Sequence, residues 1–172
     1  MSKIRRLLLT FSRLAIVTLS IIVLAQGAVA ARPNAGSAGQ QSARHDRRLE
    51  GTWRVEVTLR NCMTGEPVQA PFPALASFAR GGTVTTADGG LSPAVRGTGL
   101  GTWWRVRGGA FWAITEAFLF NGSVRTGTQR ITQEIDVAAG GEEFIANVTS
   151  EIADVNGNVI ARGCATSIGR RP

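Results

Sequence analysis

Beyond residue 48 the chain contains no histidine, no lysine and no tyrosine, which limits the chemistry it has parts for. A Ser-His-Asp relay, a Cys-His pair, a lysine Schiff base and a histidine-based zinc site each need a side chain missing from this stretch. The single histidine, His45, lies in a polar segment ahead of it. Carboxylates, arginines, hydroxyls and amides remain, and from them we expect no catalytic residue, no metal and no cofactor. Gly97-Thr98-Gly99-Leu100-Gly101 is glycine-rich, but with neither a lysine nor a following helical pattern it does not read as a phosphate-cradling loop.

Three groups of residues keep a functional reading. Alternation from residue 110 to 120 places Trp112, Ile114, Glu116, Phe118 and Phe120 on one face, a carboxylate among four large apolar groups. If that face lines an interior, Glu116 is desolvated and must be paired, protonated or reserved for a ligand. The other face, Phe111, Ala113, Thr115, Ala117 and Leu119, is also apolar, so alternation leaves the inward side open. In the next strand Gln129, Ile131, Gln133, Ile135 and Val137 share a face that reads as inward. Gln129 and Gln133, with Ser150 beyond them, are neutral polar groups suited to an apolar pocket or to a hydrogen-bond network between strands. The expected ligand contacts are therefore Trp104, Trp112, Glu116, Phe118, Gln129, Gln133 and Ser150. The third group, Trp103, Arg105 and Arg107, shares one strand face on which an indole and guanidinium groups can stack, a candidate partner surface.

The elements that must position these residues follow an N-terminal region of different character. Residues 1–30 combine a basic start (Lys3, Arg5, Arg6, Arg13), an apolar run from Leu14 to Ala25 and the small triplet Ala28-Val29-Ala30, the layout of a secretory signal peptide cleaved after Ala30. The run is too short for a membrane-spanning helix, so no membrane insertion is expected after cleavage. Residues 31–48 hold alanine as their only apolar residue type and read as a flexible leader. The formal charge of +7 comes from these segments, because from Leu49 onward 11 arginines face 11 acids. A nucleic-acid partner is therefore not expected. Export to a periplasmic or extracellular location would let Cys62 and Cys164 persist as a disulfide. Closing a loop of this length is worth roughly 4–5 kcal/mol in the chain-entropy treatment.

From residue 49 to 172 we read one all-β domain. Period-2 alternation is punctuated by glycine turns, and no stretch shows helical periodicity. Strands are predicted over 52–60, 74–80, 83–88, 102–107, 110–120, 124–138, 143–153 and 158–168. Gly81-Gly82, Gly108-Gly109 and Asn156-Gly157 supply hairpin signals. Eight strands in simple succession predict an antiparallel up-and-down barrel, which leaves no exposed edge. A Cys62–Cys164 bridge fits closure of the first strand against the eighth.

Gly51-Thr52-Trp53 at the start of the first strand, the eight-strand succession and arginines near the chain end resemble the lipocalin (calycin) pattern. In that family Gly-x-Trp opens the barrel and an arginine from the last strand packs over the indole. The resemblance implies structural roles for Gly51 and Trp53, with Arg170 or Arg162 as the arginine. Asn156-Gly157-Asn158-Val159, Gly163-Cys164-Ala165-Thr166 and Phe78-Ala79-Arg80-Gly81-Gly82-Thr83 also resemble small exported bacterial proteins of unassigned function. The tyrosine-containing middle motif of lipocalins has no counterpart here, so the likeness is to the barrel. It implies a binding protein holding a small hydrophobic ligand in a barrel lumen. One alternative is a cofactor-independent enzyme resembling the allene oxide cyclases, with Glu116 as acid. Another is a filled barrel that binds an unknown protein partner through the Trp103, Arg105 and Arg107 face.

Overall fold

A computed structural model describes residues 47–172; the expected signal peptide and the leader through residue 46 lie outside the described residues. Eight antiparallel strands follow one another around a closed barrel. They are β1 (Gly51–Arg60), β2 (Phe72–Ala79), β3 (Thr83–Asp88), β4 (Gly99–Arg105), β5 (Phe111–Asn121), β6 (Val124–Val137), β7 (Glu143–Asp154) and β8 (Val159–Arg170). Closure is made by β1 against β8, in register from Arg54 opposite Arg170 to Arg60 opposite Cys164. Cys62, just past β1, is bonded to Cys164 of β8 with 5.2 Å between their α-carbons, so the disulfide clips the closing seam. Such a bond is compatible with an oxidising compartment. Among the described residues no helix is long and apolar enough to cross a membrane.

The predicted strands recur with one substantial shift: β4 begins at Gly99, not at residue 102. The glycines there are part of the strand because β4 and β5 approach closely. A β-carbon on Gly101 would collide with the Ile114 carbonyl oxygen. At Gly81 and Gly82 the backbone has φ of +92° at both positions, which only glycine adopts cheaply, and this turns β2 into β3.

The interior is unevenly filled. Trp53, Phe78, Trp103, Phe111 and Phe144 come from the same end of five strands and pack edge-on or tilted, with Trp53 and Phe144 centroids 4.9 Å apart and Trp103 and Phe111 5.8 Å apart. Leu49, Val84 and Ile135 complete this plug. Complete burial contributes roughly 1.5–3 kcal/mol per large apolar side chain, so this end holds most of the packing energy. Trp53 Nε1 donates to the Leu49 carbonyl and Trp103 Nε1 to the Ala79 carbonyl, at 2.9 and 3.0 Å, so neither indole leaves a buried donor unmet. Toward the opposite end several inner positions are small: Ala74, Gly99, Ala117, Gly163 and Ala165. Side chains of that size cannot fill an eight-stranded lumen.

The shortest seam, β3 with β4, pairs only Thr83–Thr86 against Gly99–Thr102. The connection that follows Asp88 compensates by running beside β5. Gly97 N–H donates to the Phe118 carbonyl at 3.0 Å and Phe120 N–H to the Val95 carbonyl at 2.8 Å, placing Arg96 opposite Leu119.

Candidate functional site: a cavity in the barrel lumen

Below the aromatic plug lies a cavity of about 110 Å³. Its apolar wall is built by alternate residues of neighbouring strands, including Val55, Val57 and Leu59 of β1, Ile131 of β6 and Val148 of β7. Its polar groups are few: Thr86, Asp88, Arg96, Thr115, Gln129, Gln133, Ser150 and Ser167.

Arg96 is the unusual member. It is a loop residue, yet it is only 5% exposed, because the bridge to Leu119 turns its side chain inward. Its Nε donates to Gln129 Oε1 at 2.6 Å. Its Nη1 lies 3.8 Å from Asp88 Oδ2, an ion-pair distance beyond hydrogen-bond reach, and has no hydrogen-bond partner among the described residues. Burial lowers the Arg96 pKa from its ordinary value while Asp88 pushes it back up, and the guanidinium stays a cation. Three hydroxyls lining the same cavity are likewise buried without partners: Thr86 Oγ1, Thr115 Oγ1 and Ser167 Oγ. Buried polar atoms normally find partners, so four such atoms around one cavity mark it as a place built for polar contact.

Gln129, Gln133 and Ser150 line this cavity as their alternation predicts, brought together by β6 and β7. Trp104, Trp112, Glu116 and Phe118 do not, and their expected lumen position is corrected. All four are on the outer wall, with Trp112 37% and Phe118 56% exposed. The face of β5 that points inward is Phe111, Ala113, Thr115 and Ala117. Cross-strand partners share a face, and Ala113 and Ala117 stand opposite the inward Gln133 and Gln129. Glu116 instead sits among outer-face residues opposite Arg130 and Leu100. An enzyme using Glu116 as a lumen acid is thereby without its acid. The partner face also loses a member, because Trp103 is 6% exposed and belongs to the plug.

The arginine over the indole is neither Arg170 nor Arg162. Both are exposed and pair across the outer surface, Arg170 with Glu143 at 2.9 Å and Arg162 with Glu151 at 3.0 Å. Arg171 takes the role, its guanidinium carbon 3.8 Å from the Trp53 ring centroid. At Gly51 the backbone has φ of +114°, which favours glycine, and a β-carbon there would sit 2.5 Å from Arg171 Nη1.

Sequence reasoning missed Arg96, Asp88, Thr86, Thr115 and Ser167. A weak signal existed: between Gly81 and Trp104 the chain carries one acid and one base, Asp88 and Arg96. These are the two that meet. The architecture thus defines a closed β-barrel with a small, polar-studded lumen. Comparison with protein-family models gives no match for the chain, and comparison with curated proteins gives none either.

Proposed function

We propose that the chain is an exported, lipocalin-like binding protein that holds one small, largely apolar ligand in the barrel lumen. The observation that carries this reading is the cavity of about 110 Å³, apolar-walled and edged by four buried polar atoms that lack partners among the described residues. An apolar cavity of roughly 150 Å³ holds benzene, so the ligand's buried part is of about that size or smaller. Arg171 over Trp53 behind Gly51 supports the lipocalin likeness, and the N-terminal layout of residues 1–30 together with the disulfide supports export. A formally neutral domain speaks for a small-molecule partner over a nucleic acid.

The test is native mass spectrometry of the protein purified gently from the exported fraction, compared with its denatured mass, alongside thermal melting with small apolar probes such as benzene and pentanol. A bound mass lost on denaturation, or a probe that raises the melting temperature, is the expected result. No bound mass and no response to any probe would overturn the reading.

A further inference from the structure

The lumen has a chemically distinct corner, and it lies around Gly99. A β-carbon at Gly99 would collide with Thr86 Oγ1 and would sit 3.5 Å from Arg96 Nη2 and 3.6 Å from Thr115 Cβ. The side chains of a strand residue, a loop residue and a residue on the neighbouring strand thus converge at Gly99, whose missing β-carbon lets them pack together at the edge of the cavity that all three line. Thr115 is 1% exposed and Arg96 5%, and Thr86 Oγ1, Thr115 Oγ1 and Arg96 Nη1 are all buried without partners among the described residues. Gln129, the partner of Arg96 Nε, has its acceptor oxygen already used and so offers its amide N–H groups. The corner is rich in donors. Its one carboxylate, Asp88, accepts the Gly90 N–H at 2.7 Å and stands 3.8 Å off Nη1. A guanidinium so buried gains most from an acceptor that is charged and has two oxygens. The remaining wall, with Val55, Val57 and Ile131, adds only the neutral polar groups Gln133, Ser150 and Ser167 and no second charge.

Resting on the binding reading above, we propose that the ligand is a short-chain monocarboxylate. Its carboxylate would accept hydrogen bonds from Arg96 Nη1 and from the Thr86 and Thr115 hydroxyls, and its few methylenes would lie along Val55, Val57 and Ile131. The cavity volume excludes a long-chain fatty acid from full burial.

Isothermal titration of the exported protein with pentanoate, pentanamide and pentanol tests this. Pentanoate should bind about 10- to 100-fold more tightly than pentanamide, the scale of one or two charge-assisted hydrogen bonds. Arg96→Gln should abolish that preference. Because Arg96 also ties the loop to Gln129, Thr115→Val is the second variant: it removes only a hydroxyl, should leave the melting temperature unchanged or higher, and should weaken pentanoate several-fold while sparing pentanol. Asp88→Asn should strengthen pentanoate by removing a competing carboxylate. Equal binding of pentanoate and pentanamide, or a preference that survives both Arg96→Gln and Thr115→Val, would overturn the carboxylate assignment while leaving the lumen reading standing. If neither pentanoate nor any neutral probe binds, both fall.

Discussion

The Arg171 guanidinium sits over the Trp53 indole with its carbon 3.8 Å from the ring centroid. It also donates to the carbonyls of Glu50 and Arg48 at 2.8 and 2.9 Å and to that of Gly141 at 3.2 Å. One side chain thus ties the last residues of the chain to the entry of β1 and to the β6–β7 turn. Arg171→Ala should lower unfolding free energy by about 2–4 kcal/mol, from the lost cation–π contact and charge-assisted hydrogen bonds. Arg170→Ala removes only an exposed pair and should cost less than about 0.5 kcal/mol. Urea denaturation of both variants checks the contrast, and equal losses would contradict it.

The disulfide spans 102 residues of sequence and crosses the closing seam. Replacing Cys62 and Cys164 together by serine should cost roughly 2–5 kcal/mol. Wild type treated with reductant should melt at the temperature of the double variant. A reduced protein as stable as the oxidised one would mean that the bond adds nothing beyond the strand pairing.

The tryptophans divide by face. Trp53 and Trp103 are buried, while Trp104 and Trp112 stand opposite each other on the outer wall. Iodide should quench only the outer pair, and the double variant Trp104→Phe, Trp112→Phe should lose the quenchable emission while still folding. Glu116→Gln, on the same wall, should change stability by no more than about 0.5 kcal/mol.

Glycines of similar appearance should respond in opposite ways to alanine. At Gly101 the added carbon meets the Ile114 carbonyl, a backbone group that cannot rotate away, and the loss should be about 1–3 kcal/mol or more. At Gly140 nothing lies within 4 Å and φ is not positive, so alanine should be neutral or stabilise by up to about 1 kcal/mol. Thermal melting of the two variants decides.

Asp154 closes the β7–β8 turn by accepting from the backbone N–H groups of Asn156 and Asn158, both at 2.9 Å, and from Asn158 Nδ2 at 3.1 Å. The Asn158 side chain first, and then these backbone groups, hold its carboxyl below the ordinary value of 3.8. A depressed carboxyl contributes its stability above the unfolded value, and that contribution disappears as pH falls through the lower folded value. The turn should therefore keep its amide protection above the ordinary value of 3.8 and lose it only as pH falls further, through the lower folded value. In Asp154→Asn the acid dependence should be flat. Carbon-13 titration of the Asp154 carboxyl provides the direct check.

Much of the architecture was legible in the residues alone because the barrel follows local rules. Period-2 alternation marked β1, β6 and β7 and the faces they bury, and glycine pairs marked the hairpins. Cys62 beside the first strand and Cys164 within the eighth pointed to closure. Gln129 and Gln133 reached the cavity because β6 carries a polar face opposite them, and Ser150 because it alternates in step with Phe144, Ala146 and Val148 on β7.

Three decisions needed the assembled fold. The inward face of β5 depends on register. Counting back from Asn121 opposite Val124 would set Glu116 against Gln129 and Trp112 against Gln133, on the lumen side. A bulge between Leu119 and Phe120 shifts the pairing by one residue and turns that whole face outward. Arg170 and Arg171 differ by one position, but the first is held in β8 pointing outward, while the second lies past the strand and folds back over Trp53. Arg96 sits in a connection without periodicity, and only the short β3–β4 seam, which draws residues 95–97 alongside β5, sends it inside. Composition and alternation determined the strands, the turns and the closed barrel. Register, a one-residue bulge and a loop filling a short seam decided which side chains reach the lumen, because each depends on contacts between residues far apart in the chain.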